Sequence, residues 1–206
     1  MILSSLVITW STVGWAGDKD PMNIADGALD EIHLKVSTIS TGVPILIRPF
    51  STESVDLGTG GEDAKNEKRS DATRIMVKIA PDLLVEAFKS TLVEGGVFKV
   101  VLPPDNEALP ENALVVEGTF LKIDPGSRAK RYWGGFGAGK SGVQVTGSLK
   151  DASGKVLAEF THMKHSGIGI GGGDYVKFLS DDTKDVGRDL ALFLTKWAAG
   201  KDLHKD

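Results

Sequence analysis

The sequence contains no cysteine. Disulfides, cysteine-ligated metals and a thiol nucleophile are thereby excluded, as is the lipid-bearing cysteine that a lipoprotein carries near its start. An excess of one charge is lacking too. The 24 Lys and Arg against 28 Asp and Glu leave a net charge of −4, which gives no whole-chain case for nucleic acid as a partner. Beyond the N-terminus no run approaches the ~18 apolar residues of a membrane span, so no integral membrane segment is expected in the mature chain. No G-x-S-x-G elbow occurs, which removes one common nucleophile context. His162 and His165 fall on an expected strand at a spacing that points them to opposite faces, while His33 and His204 fall in an expected loop and tail. Asp181, Asp182 and Asp185 fit the capping of a helix start better than a carboxylate site. No metal, no other cofactor and no catalytic activity are expected.

What is present suits one domain. At 206 residues, with 41% hydrophobic and 25% charged residues, the chain has the length and composition of a single globular unit with a short extra segment. Residues 1–16, MILSSLVITWSTVGWA, are nearly all apolar or small and end Gly14-Trp15-Ala16, after which the chain turns abruptly polar. That is the apolar core and cleavage region of a secretory signal peptide, although no Lys or Arg precedes Lys19. The expectation is therefore export to the periplasm or cell envelope, with 1–16 as signal, 17–42 as a loose lead-in, 43–200 as the domain and 201–206 as a tail.

Within the domain the elements read as α+β. Short strands are expected at Ile32–Val36, around Pro44–Phe50 and at Val97–Leu102, with a solvated loop over 56–71. Met76, Ala80, Leu83, Ala87 and Phe88 give a helix from Ala72 to about Glu94, kinked at Pro81 or with its second half begun there, and stopped by Gly95-Gly96. Strand, helix and strand in that order make a crossover with the two strands parallel. Ala113–Asp124 is a strand. Val143, Val145, Gly147 and Leu149 alternate with polar residues as a half-exposed strand does, and Asp151–Gly154 turns the chain into a return strand over Lys155–Met163. Val186, Leu190, Phe193 and Trp197 make the stripe of a second helix, with Ser180, Asp181 and Asp182 at its start and Gly200 after its end. The expected architecture is a mixed four- to five-stranded sheet with two amphipathic helices packed on one face.

Gly134-Gly135-Phe136-Gly137-Ala138-Gly139-Lys140-Ser141 satisfies the Walker A string G-x-x-x-x-G-K-[ST]. A working P-loop also needs a helix starting at its Lys-Ser, so that free amides face the phosphates. The following GVQVTGSLK is instead a strand pattern, and the one tidy apolar run ending in Asp, Phe120–Asp124, lies upstream. Nucleotide binding through 134–141 is the competing function. The same segment has a second property. Between Pro125 and Lys150 lie five basic residues, Arg128, Lys130, Arg131, Lys140 and Lys150, and no acidic one. Tyr132, Trp133 and Phe136 are interleaved with them. Arg128, Lys130, Arg131, Trp133 and Lys140 are the candidate binding residues for an anionic surface such as phospholipid or lipopolysaccharide phosphates. A solvated loop with one or two buried aromatics explains the same residues.

The stretch Ala113–Phe160, with its Gly-Ser-Arg turn, its Arg before an aromatic, its Gly-Phe-Gly-Ala-Gly-Lys core and its Asp-x-x-Gly-Lys hairpin, resembles the bacterial domain-of-unknown-function 4410 family. The resemblance extends over residues 44–197. It implies an exported envelope protein without an assigned activity, and it favours a glycine core of β-structure over a P-loop. Many members are lipoproteins, but the cysteine such an anchor needs is missing here. The partner is expected to be an anionic envelope component or an envelope protein, with oligomeric state left open.

Overall fold

A computed structural model describes residues 22–25, 27–58, 67–101, 109–126, 141–165 and 174–203. Seven strands and two helices are described: β1 (Met22–Ala25), β2 (Glu31–Leu34), β3 (Pro44–Ile47), α1 (Glu67–Gly95), β4 (Lys99–Val101), β5 (Leu114–Asp124), β6 (Gly142–Asp151), β7 (Val156–Lys164) and α2 (Tyr175–Ala198). The strands form one mixed sheet in the order β1-β2-β7-β6-β5-β3-β4. β3 is parallel to both β4 and β5, and all other pairs are antiparallel. The α+β class, the parallel β3–α1–β4 crossover and the β6–β7 hairpin follow the sequence pattern. The sheet is wider than the strong patterns alone indicate because short strands lie at both edges. β1 lies in the stretch expected as a loose lead-in, whereas β2 overlaps the short strand expected at Ile32–Val36 and is paired residue for residue with β7 from Glu31↔Thr161 to Leu34↔Ala158.

Alternation along the strands decides which face is covered. Ile32, Leu34, Ile45, Ile47, Val116, Phe120, Val145, Leu149, Ala158 and Phe160 are buried in one core cluster with the apolar sides of both helices. The opposite face carries Glu117, Thr119, Thr146, Ser148, Glu159 and Thr161, laced by ion pairs such as Lys150–Glu117 at 2.5 Å and Lys35–Glu159 at 3.1 Å. Two glycines on the inner face are required by packing. Gly118 and Gly147 are cross-strand partners, and a Cβ on Gly147 would lie 2.6 Å from the Glu117 carbonyl and 2.7 Å from the Phe160 ring. The room they leave is filled by Phe50 and Phe160, stacked at 6.5 Å. The aromatic chain continues through Phe193 to Trp197 on α2.

The helices lie side by side and run in the same direction. Met76 faces Ser180, Leu84 and Phe88 approach Gly187, and Gly95 approaches Thr195. Gly187 sets the closest approach, since a Cβ there would lie 2.6 Å from the Leu84 carbonyl. The stripe Val186, Leu190, Phe193 and Trp197 is wholly buried, and Gly200 ends α2 at φ +64°, the left-handed position glycine favours.

Both helix starts differ from expectation. α1 begins at Glu67, five residues inside the expected loop, and runs through Pro81 without interruption. Proline lacks the N–H that would bond the Val77 carbonyl, and that carbonyl accepts instead from the Thr52 hydroxyl at 3.3 Å. α2 begins at Tyr175 with Asp174 as its cap, the carboxylate accepting the Lys177 N–H. Ser180, Asp181 and Asp182 therefore lie in its second turn rather than at its start. Among the described residues no helix is long and apolar enough to cross a membrane.

Candidate functional site

The candidate residues Arg128, Lys130, Arg131, Trp133 and Lys140 lie outside the described residues. The two feet of their segment are described. Asp124 and Gly142 are cross-strand partners at the end of the antiparallel β5–β6 pair, so the segment joins adjacent strands. Asp124, Gly126, Ser141 and Gly142 are all buried. The Asp124 carboxylate accepts the Gly126 N–H at 2.7 Å and lies 3.5 Å from Lys122 Nζ. Gly58 sits over it at φ +54°, where a Cβ would run into the carboxylate. Ser141 leads directly into the ten-residue strand β6. Its successors spend their amides on sheet pairing, so the helix start that a P-loop requires is not there, and the nucleotide reading of 134–141 loses its structural basis. Lys150, the last of the five basic residues counted between Pro125 and Lys150, is paired to Glu117 on the outer sheet face.

Chain direction brings other segment ends to the same place. β5 and β7 both run toward this end, and the chain after β3 follows β5 upward through bridges at Ser51↔Thr119 and Asp56↔Lys122. α1 and α2 follow those strands in sequence and both start here. Contacts confirm the convergence: His165 Nδ1 donates to the Ser141 carbonyl at 3.2 Å, and the Arg69 guanidinium lies 5.7 Å from the Tyr175 ring centroid. The positive ends of two helix dipoles therefore stand at the end of the sheet that carries the basic segment.

A second polar cluster surrounds the buried His162 between the sheet and α2. His162 faces the helices, with Nδ1 3.0 Å from Asp30 Oδ2 and Nε2 2.8 Å from Asp189 Oδ2. Asp30 also accepts the Met163 N–H at 2.6 Å, and Lys164 Nζ lies 2.6 Å from Asp189. Burial pushes the Asp189 carboxyl up, but the hydrogen bonds from His162 and Lys164 and their charges outweigh it and hold it below the ordinary carboxylate value. The cluster ties the β1–β2 connection, β7 and α2 together. His165 lies beyond the end of β7, exposed and apart from His162, and His33 is on β2 bonded to Glu31 rather than in a loop. Among the described residues no group of three or more His, Cys, Asp or Glu could hold a metal ion. A shallow depression of about 350 Å³ on the outer sheet face is lined by Glu117, Glu159 and hydroxyl residues, a lining unsuited to an anion.

These features define an α+β protein with a mixed sheet, both of whose helices start at the β5–β6 connection end. The chain belongs to the family described as Domain of unknown function (DUF4410), whose profile matches residues 45–169, from β3 past the end of β7. Among solved structures it is similar to a single-substitution variant of the PelC dodecamer from Paraburkholderia phytofirmans, at 17% identity over 77% of this chain and 97% of that one, with a TM-score of 0.38. It is also similar to the PelC dodecamer from the same organism, at 16% identity over 75% and 94%, with a TM-score of 0.39. No curated protein matches it.

Proposed function

We propose that this protein is an exported, non-catalytic accessory of the bacterial cell envelope that holds an anionic envelope component through the β5–β6 connection. The observation that carries this reading is local charge. In a chain of net charge −4, residues 126–149 contain Arg128, Lys130, Arg131 and Lys140 and no acidic residue. Four cations in one acid-free stretch, whose flanking residues are buried at the end of the β5–β6 pair, suit the attraction of a polyanionic surface. Interleaved Tyr132, Trp133 and Phe136 supply the amphipathic rings that favour an interface with lipid headgroups. The apolar run over 1–16 supports export.

Vesicle co-sedimentation at low and high salt tests the reading. Phosphatidylglycerol vesicles are expected to bind the wild type in a salt-sensitive way. A variant with Arg128, Lys130, Arg131 and Lys140 all changed to Gln is expected to stay in the supernatant. Equal sedimentation of the two proteins would sink the proposal. Cell fractionation tests export, and recovery only from the cytoplasm would contradict it.

A further inference from the structure

Arg69 lies in the first turn of α1 and is only 8% exposed. Its guanidinium is held against the ring of Tyr175, the first residue of α2. Its Nε is buried and has no hydrogen-bond partner among the described residues. An arginine cannot shed its proton to escape such a position, and a buried donor without an acceptor is unfavourable. Four carboxylates on the neighbouring turns do not serve it. Asp71 pairs with Arg74, Asp181 with Lys177, Asp174 caps the Lys177 amide, and Glu67 is exposed. The first turn of α2 contains no acidic residue.

We propose that Arg69 and the first turn of α2 form a binding site for a phosphate-class oxyanion, either free phosphate or the phosphate of a lipid headgroup. The chemistry matches part by part. The guanidinium edge carrying Nε–H and one Nη–H offers two parallel donors to two oxygens of a tetrahedral anion. The α2 N-terminus adds its dipole, and the parallel α1 places a second positive dipole end beside it. The Tyr175 ring fixes the guanidinium plane from one side. The site stands on described residues and does not rest on the segment 128–140.

Calorimetric titration of inorganic phosphate into the full chain tests this, with chloride as the control. Wild type is expected to bind, and Arg69→Gln to bind roughly tenfold weaker or more, the usual effect of losing a charge-assisted pair. Arg69→Lys keeps the stem and the charge but not the fork. It is expected to fold as wild type by circular dichroism and to bind several-fold weaker, and it carries the test should Arg69→Gln not fold. Phosphatidic acid vesicles identify the source. Binding to them that is lost in Arg69→Lys and competed by free phosphate assigns a headgroup, whereas binding of free phosphate alone assigns a soluble anion. The variant lacking the four cations of 128–140 separates the two proposals, since it should bind free phosphate as wild type does. Absence of phosphate binding by the wild type in both assays, or equal binding by wild type and both Arg69 variants, overturns the inference.

Discussion

His162 shows how a single buried side chain can organise three elements. Its Nδ1 meets the Asp30 carboxylate from the β1–β2 connection, and its Nε2 meets Asp189 on α2. The pair of carboxylates, with Lys164 behind Asp189, completes a network in which every member has a partner. Replacing Asp189 by Asn is expected to cost about 1–3 kcal/mol at neutral pH in urea unfolding, as for other buried groups that lose a partner. The pH dependence fixes the sign. Because the folded Asp189 carboxyl lies below its ordinary value of 3.8, its contribution is fully present above that value. It is lost as the pH falls through the lower folded value. The gap between wild type and Asp189→Asn should therefore close below about pH 4. A gap that stays constant through the acid range would show that the charge of Asp189 contributes nothing. The glycine pair makes a sharper residue-scale case. Gly147→Val drives a side chain into both the Glu117 carbonyl and the Phe160 ring, and overpacking of that kind costs about 1–3 kcal/mol. An unchanged urea midpoint for Gly147→Val would mean the Phe50–Phe160 stack is not fixed by the glycines.

At the scale of elements, α1 carries a defect that its neighbour repairs. Pro81 leaves the Val77 carbonyl without its helical donor, and Thr52, on the chain following β3, supplies one from outside. The repair ties the connection between β3 and α1 to the middle of the helix. Thr52→Val should destabilise the wild type by about 1 kcal/mol. Its effect should be smaller in a Pro81→Ala background, where the restored backbone N–H bonds the Val77 carbonyl from within the helix. A double-mutant cycle measures that coupling, and strict additivity would refute it. Much of this level was legible from pattern. The stripes of both helices, the glycine stops at Gly96 and Gly200, and the Asp151–Gly154 turn are all local signals, and each is where the sequence indicates. The helix starts were not, for physical reasons. The first turn of α1 is held by Arg69 stacked on Tyr175, which a reading of periodicity counts as one more charge in a polar run. In α2, Ser180-Asp181-Asp182 has the composition of a cap, while the working cap, Asp174, directly follows a glycine run. The His162 network was invisible for a further reason, since Asp30 is 132 residues away in sequence. Spacing arguments reach only a few residues along one element.

At the scale of the whole molecule, the two faces of the sheet divide an apolar core from a polar surface. The outer sheet face pairs its acids with Lys35 and Lys150. One long edge of the sheet bears on where the folded unit starts. β1 pairs only with β2, yet Ile24 is 3% exposed. Ala28 donates to the Leu203 carbonyl, Asp30 bonds His162, and Trp197 Nε1 donates to the Ser37 carbonyl. The stretch between β1 and β3 is thus fastened to β7, to α2 and to the chain end, and belongs to the same cooperative unit as the strongly patterned core. Removing residues 1–16 touches none of these contacts and is expected to leave the urea midpoint and slope unchanged. Removing residues 1–30 deletes β1 and Asp30, bares the edge of β2 and leaves His162 with one carboxylate fewer. Loss of a hydrogen-bonded partner of the buried His162 alone costs about 1–3 kcal/mol, and the burial of Ile24 adds about 1.5–3 kcal/mol. Together these are a large part of the stability of a typical domain. The longer truncation should therefore unfold at a markedly lower urea concentration and associate more readily through the exposed strand. If the two truncated proteins unfold alike, the N-terminal hairpin is an ornament on the sheet and the unit begins at β3.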